Sequence, residues 1–291
     1  MMVHLGANRY GKAEVRVVHV ARGAAPDGGD VIKDWNVSSA LSGDLAGTHL
    51  SGDNSSVLAT DTQKNTAYVF AKQWGGGEVE AYALALARHY VQTQAAITRA
   101  RIAVQEFGWR PIPVNGHCFA RSGQYTRTTT VIHDAELGTS VVSGVEDLVV
   151  LKTTGSEFWG FPRDRYTTLA ETTDRMLATE ITARWRYRHT EADWAAVHAA
   201  ALSAVLDSFA TTHSLSLQQT LYAIGERVLT ALPQLCEVRL ALPNKHHFLV
   251  DLAPFGLSND NEVYFAADRP YGVIEGTVLA DDAGDPGRAW D

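Results

Sequence analysis

"TRTTTVIHD" (126–134) and "TSVVSGVEDLVVLKTT" (139–154) follow one another with only residues 135–138 between them. Both are rich in β-branched residues and largely alternate, which is the signature of strands. Both follow the first helical block. Upstream lies a helical pattern from Glu78 to about Phe107, with Val79, Ala83, Leu86 and Tyr90 at helical spacing. Gly75-Gly76-Gly77 precedes it and Pro111 closes it. Downstream, Thr190-x-x-Asp193 has the form of a capping box. Trp194, Val197, Ala201, Val205 and Phe209 then mark one apolar face. Leu217, Leu221, Ile224, Val228 and Leu232 mark a further helix, ended by Pro233.

Strands follow this second helical block too: "CEVRLAL" (236–242), "HHFLVDL" (246–252) and "EVYFAAD" (262–268). Val15–Val20 reads as a strand near the start of the chain. The order is therefore strands, helices, strands, and then the same again. Such blocks, which do not alternate singly, predict an α+β protein with antiparallel sheets. They divide the chain into two architectural units, 1–145 and 146–291, although the halves share no visible sequence identity. Residues 21–56, rich in Gly, Asp and Ser, are the least regular and read as a long excursion.

Bulk properties exclude several classes. Of 291 residues, 45% are apolar and 20% charged, a globular composition. A formal charge of −8 argues against a nucleic-acid partner, which would require a clustered basic face. No apolar run of about 18 residues is present to span a membrane. The N-terminus lacks a signal h-region, and Gly287-Arg288-Ala289-Trp290-Asp291 is not a peroxisomal address. Cys118 and Cys236 lie far apart and read as thiols in a reducing cytoplasm.

The chemistry-bearing residues fall in a few short stretches. Gly6, Gly11 and Lys12 begin a phosphate-loop pattern, but Ala13 replaces the hydroxyl residue. Too few residues precede Gly6 for a buried strand, and a strand rather than a helix follows, so the nucleotide reading fails. "LATDTQKNT" (58–66) sets Thr60 and Asp61 directly after apolar residues. "LKTTGSEFWGFPRDRYTTLAETTDR" (151–175) gathers Phe158, Trp159 and Phe161 around a glycine, then supplies Arg163 and Arg175. Gln218 stands at the start of a helix. Asn244 and His246 share one face of a strand, with Lys245 and His247 on the other. Read singly, these are core aromatics, a cap and solvated polar groups. No zinc-spaced Cys/His set, no G-x-S-x-G elbow and no Cys/His pair around Cys118 accompanies them.

In their order, these stretches resemble the urate oxidase family over nearly the whole chain. The resemblance rests on "RYGK" (9–12), "ATDTQKNTAYVFAK" (59–72), "FWGFPRDRYTTLAETTDR" (158–175), "SLQQTLY" (216–222), "LPNKHHF" (242–248) and "DRPYGVIEGTV" (268–278). It implies the tunnelling fold: two ββααββ units per chain, with a homotetramer closing a central tunnel. It also implies cofactor-free oxidation of urate by O₂, with no metal, in a cytoplasmic enzyme of bacterial type. By the same resemblance, Lys12, Thr60 and His246 form a catalytic relay, and Phe158 stacks on the purine. Arg175 and Gln218 grip its edges, Asp61 and Leu217 offer backbone N–H groups, and Asn244 lies over the ring. His247 stands where the family carries a tyrosine.

These residue types suit a flat anion with amide-like edges. A guanidinium presents a planar fork, a Gln amide donates and accepts, and Phe covers a π-face. Two other readings fit the same fold. One is a different tunnelling-fold enzyme of purine or pterin metabolism, although pterin sites use a glutamate where Gln218 stands. The other is a non-catalytic purine-binding protein, which would have no need of Lys12, Thr60 and His246 together.

Overall fold

The computed structural model describes residues 2–74, 76–267 and 269–291. Gly75 of the glycine run and Asp268, which opens the 268–278 motif, lie outside the described residues. The chain forms two compact units. Unit 1 comprises Met1–Gly144, Arg186–Ala196 and Ala283–Asp291, and unit 2 comprises Val145–Trp185 and Val197–Asp282.

In unit 1, β1 (Tyr10–Ala21) and β2 (Val31–Gly43) form a long antiparallel pair. Helices α1 (Ala46–Ser51), α2 (Thr60–Gln73) and α3 (Val79–Thr93) follow. Next come β3 (Ile97–Phe107), a small pair of β4 (Trp109–Pro111) and β5 (Phe119–Arg121), and β6 (Thr126–Asp134). Strand β7 (Gly138–Lys152) is divided between the units. Antiparallel pairing runs β1-β2-β3-β6, and β1 is left with one partner strand among the described residues. Helix α3 packs on β3 and β6, and α2 on β1. Trp35, Tyr82, Leu86, Tyr90 and Ile102 are wholly buried in this core.

The buried start of α3 carries charge. Glu80 is fully inaccessible and accepts from Arg127 Nη2 at 2.7 Å, Ser143 Oγ at 2.7 Å and Thr129 Oγ1 at 3.1 Å. Arg127 also pairs with Glu78 at 2.9 Å and Glu106 at 3.4 Å. Burial disfavours the Arg127 charge, but Glu80, Glu106 and Glu78 outweigh it and push its pKa up. The helix is thus bonded to β6 and β7 as well as packed on the sheet.

In unit 2, β8 (Leu177–Tyr187, whose last two residues belong to unit 1) precedes α4 (Trp194–Thr211) and α5 (Leu217–Ala231). Strands β9 (Leu235–Ala241), β10 (Asn244–Leu249), β11 (Tyr264–Ala267) and β12 (Glu275–Leu279) complete it. β8 pairs with both β9 and β10, while β12 pairs with β9 and β11 with β10. Helix α5 seats closely on β12. A Cβ added at Gly225 would lie 2.4 Å from Val278 Cγ2, and one at Gly276 would lie 2.8 Å from Leu221 Cδ2. The β10–β11 edge exposes Phe248 and Phe265, which face each other in register.

The α+β class and antiparallel pairing are as the element order predicts, and strands 126–134 and 139–154 appear almost to the residue. Three expectations require correction. The helical pattern of 78–107 stops at Thr93, and Ile97–Phe107 is a strand paired on both sides, by β2 and β6. The irregular stretch 21–56 contains the thirteen-residue β2, because its Gly- and Asp-rich part is only the turn after β1. The cap of α4 is Asp193 itself, which accepts from Ala196 N at 3.0 Å, so the 190–193 capping box does not form. Among the described residues, no helix is long and apolar enough to cross a membrane.

Candidate active site

The residues singled out from sequence gather in two groups, one in each unit. In unit 1, Lys12 lies on β1, paired in register with Ser39 of β2. Gly11 before it is dictated by packing, since a Cβ there would sit 1.8 Å from the Ser39 carbonyl oxygen. The register slips just after Lys12, at a bulge where Glu14 takes φ 57° and donates its N–H to Ser38 Oγ. Lys12 is half-buried and makes no ion pair among the described residues. No helix follows it, so the phosphate-loop reading has no structural basis.

Thr60 and Asp61 open α2, whose N-cap, Ala59, offers no side-chain acceptor. The first helical bond runs from Gln63 N to Ala59 O, so the N–H groups of Thr60 and Asp61 have no acceptor within the helix. Bonds from Lys64 at 2.5 Å and Asn65 at 3.0 Å hold the Asp61 carboxylate. The Lys64 bond and charge, then Asn65 and the nearby Lys12 charge, hold its pKa below the usual carboxylate value. Buried Gln63 fixes this helix start against the strand pair. Its amide meets Ser39 Oγ at 2.8 Å and donates to Leu58 O at 3.2 Å. Sequence reasoning passed over Gln63 and Ser39, since Gln63 lies between two polar neighbours and nothing local marks Ser39 as a buried partner.

In unit 2, the chain leaving β7 runs beside the entry to α5. Ser156 and Ser214 form a parallel bridge, and Glu157 N donates to Ser214 O at 2.7 Å. Phe158 then bridges to Thr172 in the antiparallel sense. Arg175 N donates to Ser156 O at 2.8 Å, and its guanidinium lies 5.2 Å from the centre of the Phe158 ring. Burial pulls the Arg175 pKa down, but a guanidinium stays charged. Phe161 stacks beside Phe158 with ring centres 4.9 Å apart.

Helix α5 begins at buried Leu217, and Ser216 Oγ accepts from Gln219 N at 3.1 Å. Gln219 returns its side chain to Leu215 N at 2.8 Å. Ser216-x-x-Gln219 is thus a readable start signal that the sequence analysis did not use. With Gln219 doing the capping, Gln218 is exposed and makes no hydrogen bond among the described residues. Asn244 and His246 share one face of β10, as alternation predicts, and His246 stacks on Phe248 with centres 5.7 Å apart. Burial first, then the charges of Arg175 and His247, hold the His246 pKa below the ordinary imidazole value. His246 is therefore neutral at neutral pH and able to accept a proton. Among the described residues, no group of three or more His, Cys, Asp or Glu side chains is placed to hold a metal.

Unit 2 therefore offers an aromatic ring, a guanidinium, a helix start and a neutral imidazole. Unit 1 offers a lysine, a threonine and a helix start without a side-chain cap. Comparison with known proteins is consistent throughout. The uricase family model matches residues 8–132 and 141–275. The chain is 51% identical over 276 residues to uricase of Arthrobacter globiformis, covering 95% of this chain and 90% of the relative. It is 40% identical over 282 residues to uricase of Dictyostelium discoideum, covering 95% and 98%. The crystal structure of the Arthrobacter globiformis uricase superposes with a TM-score of 0.93 at 49% identity, covering 97% and 96%. That of a Bacillus fastidious uricase gives 0.80 at 26%, covering 94% of each chain. Fold and relatives thus define an oxidoreductase of the α+β tunnelling-fold class. The chain belongs to the uricase family.

Proposed function

We propose that this chain oxidises urate with O₂, giving 5-hydroxyisourate and hydrogen peroxide, as a homotetramer of two-unit chains (1–145 and 146–291). The observation that carries the reading is the grouping of Phe158, Arg175 and His246 in unit 2. Arg175 lies 5.2 Å from the Phe158 ring centre, and its charge is felt at His246. A flat anion placed on Phe158 has a planar cation at its edge and free N–H groups of α5 beside it. Gln218 holds a second edge, Leu217 and Asp61 contribute N–H groups, and Asn244 covers the ring where O₂ or water sits. Lys12, Thr60 and His246 carry protons between substrate, O₂-derived peroxide and solvent.

The reaction balances without any other redox partner. Urate loses two electrons and O₂ takes them up with two protons to become hydrogen peroxide. Water supplies the hydroxyl added to the purine. No resident metal or organic cofactor takes part in this scheme, because urate donates the electrons itself. Chelator-treated protein in air-saturated buffer should consume urate at the untreated rate, with hydrogen peroxide rising in step. No loss of the urate absorption band, or activity restored only by one particular metal, would refute the reading.

Shared sites explain why the two groups belong to different units. Lys12 and Thr60 of one subunit would complete a pocket built by Phe158, Arg175 and Gln218 of a neighbour. The single-partnered β1 and β11 edges, with Phe248 and Phe265 exposed, favour covering by another copy. Sedimentation should show a tetramer at assay concentration. A fully active monomer would rule out sites shared between subunits.

A further inference from the structure

We infer that Glu157 is a positioning residue for the substrate platform, its carboxylate setting the angle of Phe158 to the start of α5. The inference rests on the urate reading above and adds to it a residue outside the proposed contact set. The chain changes partner at this point. Glu157 N and Gly155 O bond to Ser214, on the approach to α5, whereas Ser156 O and Phe158 bond to Arg175 N and Thr172 on the other side. The backbone joins the two arms through Arg175 N and Ser156 O at 2.8 Å, one residue before Glu157, and the Glu157 side chain adds a tie at the pivot itself.

The Glu157 side chain spans the pivot. Oε1 meets His213 Nε2 at 2.5 Å, and Oε2 accepts from Trp159 Nε1 at 2.6 Å. One carboxylate thus holds the residue that follows Phe158 and a residue four positions before Leu217. Its partners are open to solvent, with Trp159 59% exposed and the His213 side chain 57%, yet the Glu157 side chain is only 18% exposed. Packing does not force the Trp159 and His213 side chains together, so these two hydrogen bonds add to the backbone ties in holding the arrangement. Asp174 anchors the same loop separately, accepting from Thr154 Oγ1 at 2.8 Å and Gly155 N at 3.2 Å. Loss of Glu157 should therefore leave the loop folded but its aromatic platform misaimed.

A misaimed platform weakens binding of substrate and of any flat analogue alike. Glu157→Ala should raise KM for urate by about 10-fold or more, since displacement of a positioning group by about 1 Å is costly. kcat should stay within about threefold, because no reacting atom is touched. Binding of xanthine, a purine of the same outline, should weaken by the same factor in calorimetry. His213→Ala removes one of the two bonds at an exposed position and should give part of the effect. Glu157→Gln should restore near-normal KM, as the amide oxygen can accept from Trp159 and its NH₂ can donate to a His213 ring nitrogen. Unchanged KM and xanthine affinity in both alanine variants would overturn the inference. A fall in kcat at constant KM would also overturn it, because that is the mark of a catalytic group. Wild-type turnover in the same assay separates the two claims: without it, the urate reading itself falls and this inference with it.

Discussion

Lys12→Met is expected to slow urate oxidation by roughly 10²–10⁴-fold, the usual worth of one positioned acid–base group. Methionine keeps a similar stem and removes the ammonium. The strand should persist, because Lys12 is held through its backbone register with Ser39 and makes no ion pair among the described residues. Urate binding should weaken far less, since Phe158, Arg175 and Gln218 remain. Thr60→Ala should cost a similar factor. The double variant should be little worse than the poorer single one, because members of a relay act as a unit. Steady-state rates with and without a bound purine analogue separate these effects. Near-wild-type turnover in Lys12→Met would remove this residue from the mechanism and leave His246 as the base.

Glu80→Ala should be the most damaging single change to the fold, costing about 3–5 kcal/mol of stability. The carboxylate is wholly buried and accepts from Arg127, Thr129 and Ser143. Its removal strands one arm of a buried guanidinium and leaves the Thr129 and Ser143 hydroxyls with only each other, 3.2 Å apart. Urea unfolding monitored by tryptophan fluorescence measures the loss. Glu80→Leu combined with Arg127→Met should recover part of it, since an apolar pair avoids the uncompensated charge. A loss under about 1 kcal/mol would mean that Glu78 and Glu106 satisfy Arg127 unaided.

The parts of the fold legible in the sequence are those with a single dominant period. Residues 126–134 and 139–154 alternate strongly, and α5 shows its apolar face at regular spacing. The overrun of the first helix into Ile97–Phe107 has a local cause. That stretch mixes Ala, Arg, Gln and Glu, all good helix formers, and only its two neighbouring strands select the extended state. Helix α2 went unread because Thr60–Gln73 is polar along most of its length and buries little beyond Gln63, Ala67 and Ala71.

The proposed site was legible through whole motifs, since Lys12 or Gln218 taken alone has an ordinary explanation. What no motif conveys is the layer behind them. Glu157 and His213 lie 56 positions apart, as do no two residues that local patterning could relate. Gln63 and Ser39, 24 apart, present the same difficulty.

The two glycines beneath α5 bear on how substrate preference could drift. Gly225 leaves 2.4 Å between an added Cβ and Val278, and Gly276 leaves 2.8 Å to Leu221. Leu217 lies eight residues before Gly225, about 12 Å along the axis at 1.5 Å per residue. A close-packed interior does not absorb an extra methyl at the back without moving the rod. The helix therefore works as a gauge whose reading at its Leu217 end, where the proposed site lies, is set by a stop at the other end. A methyl at position 225 or 276 would shift Leu217 and Gln218 together, with no new atom near the purine. A search for variants with altered selectivity should accordingly begin at the stop as well as at the tip.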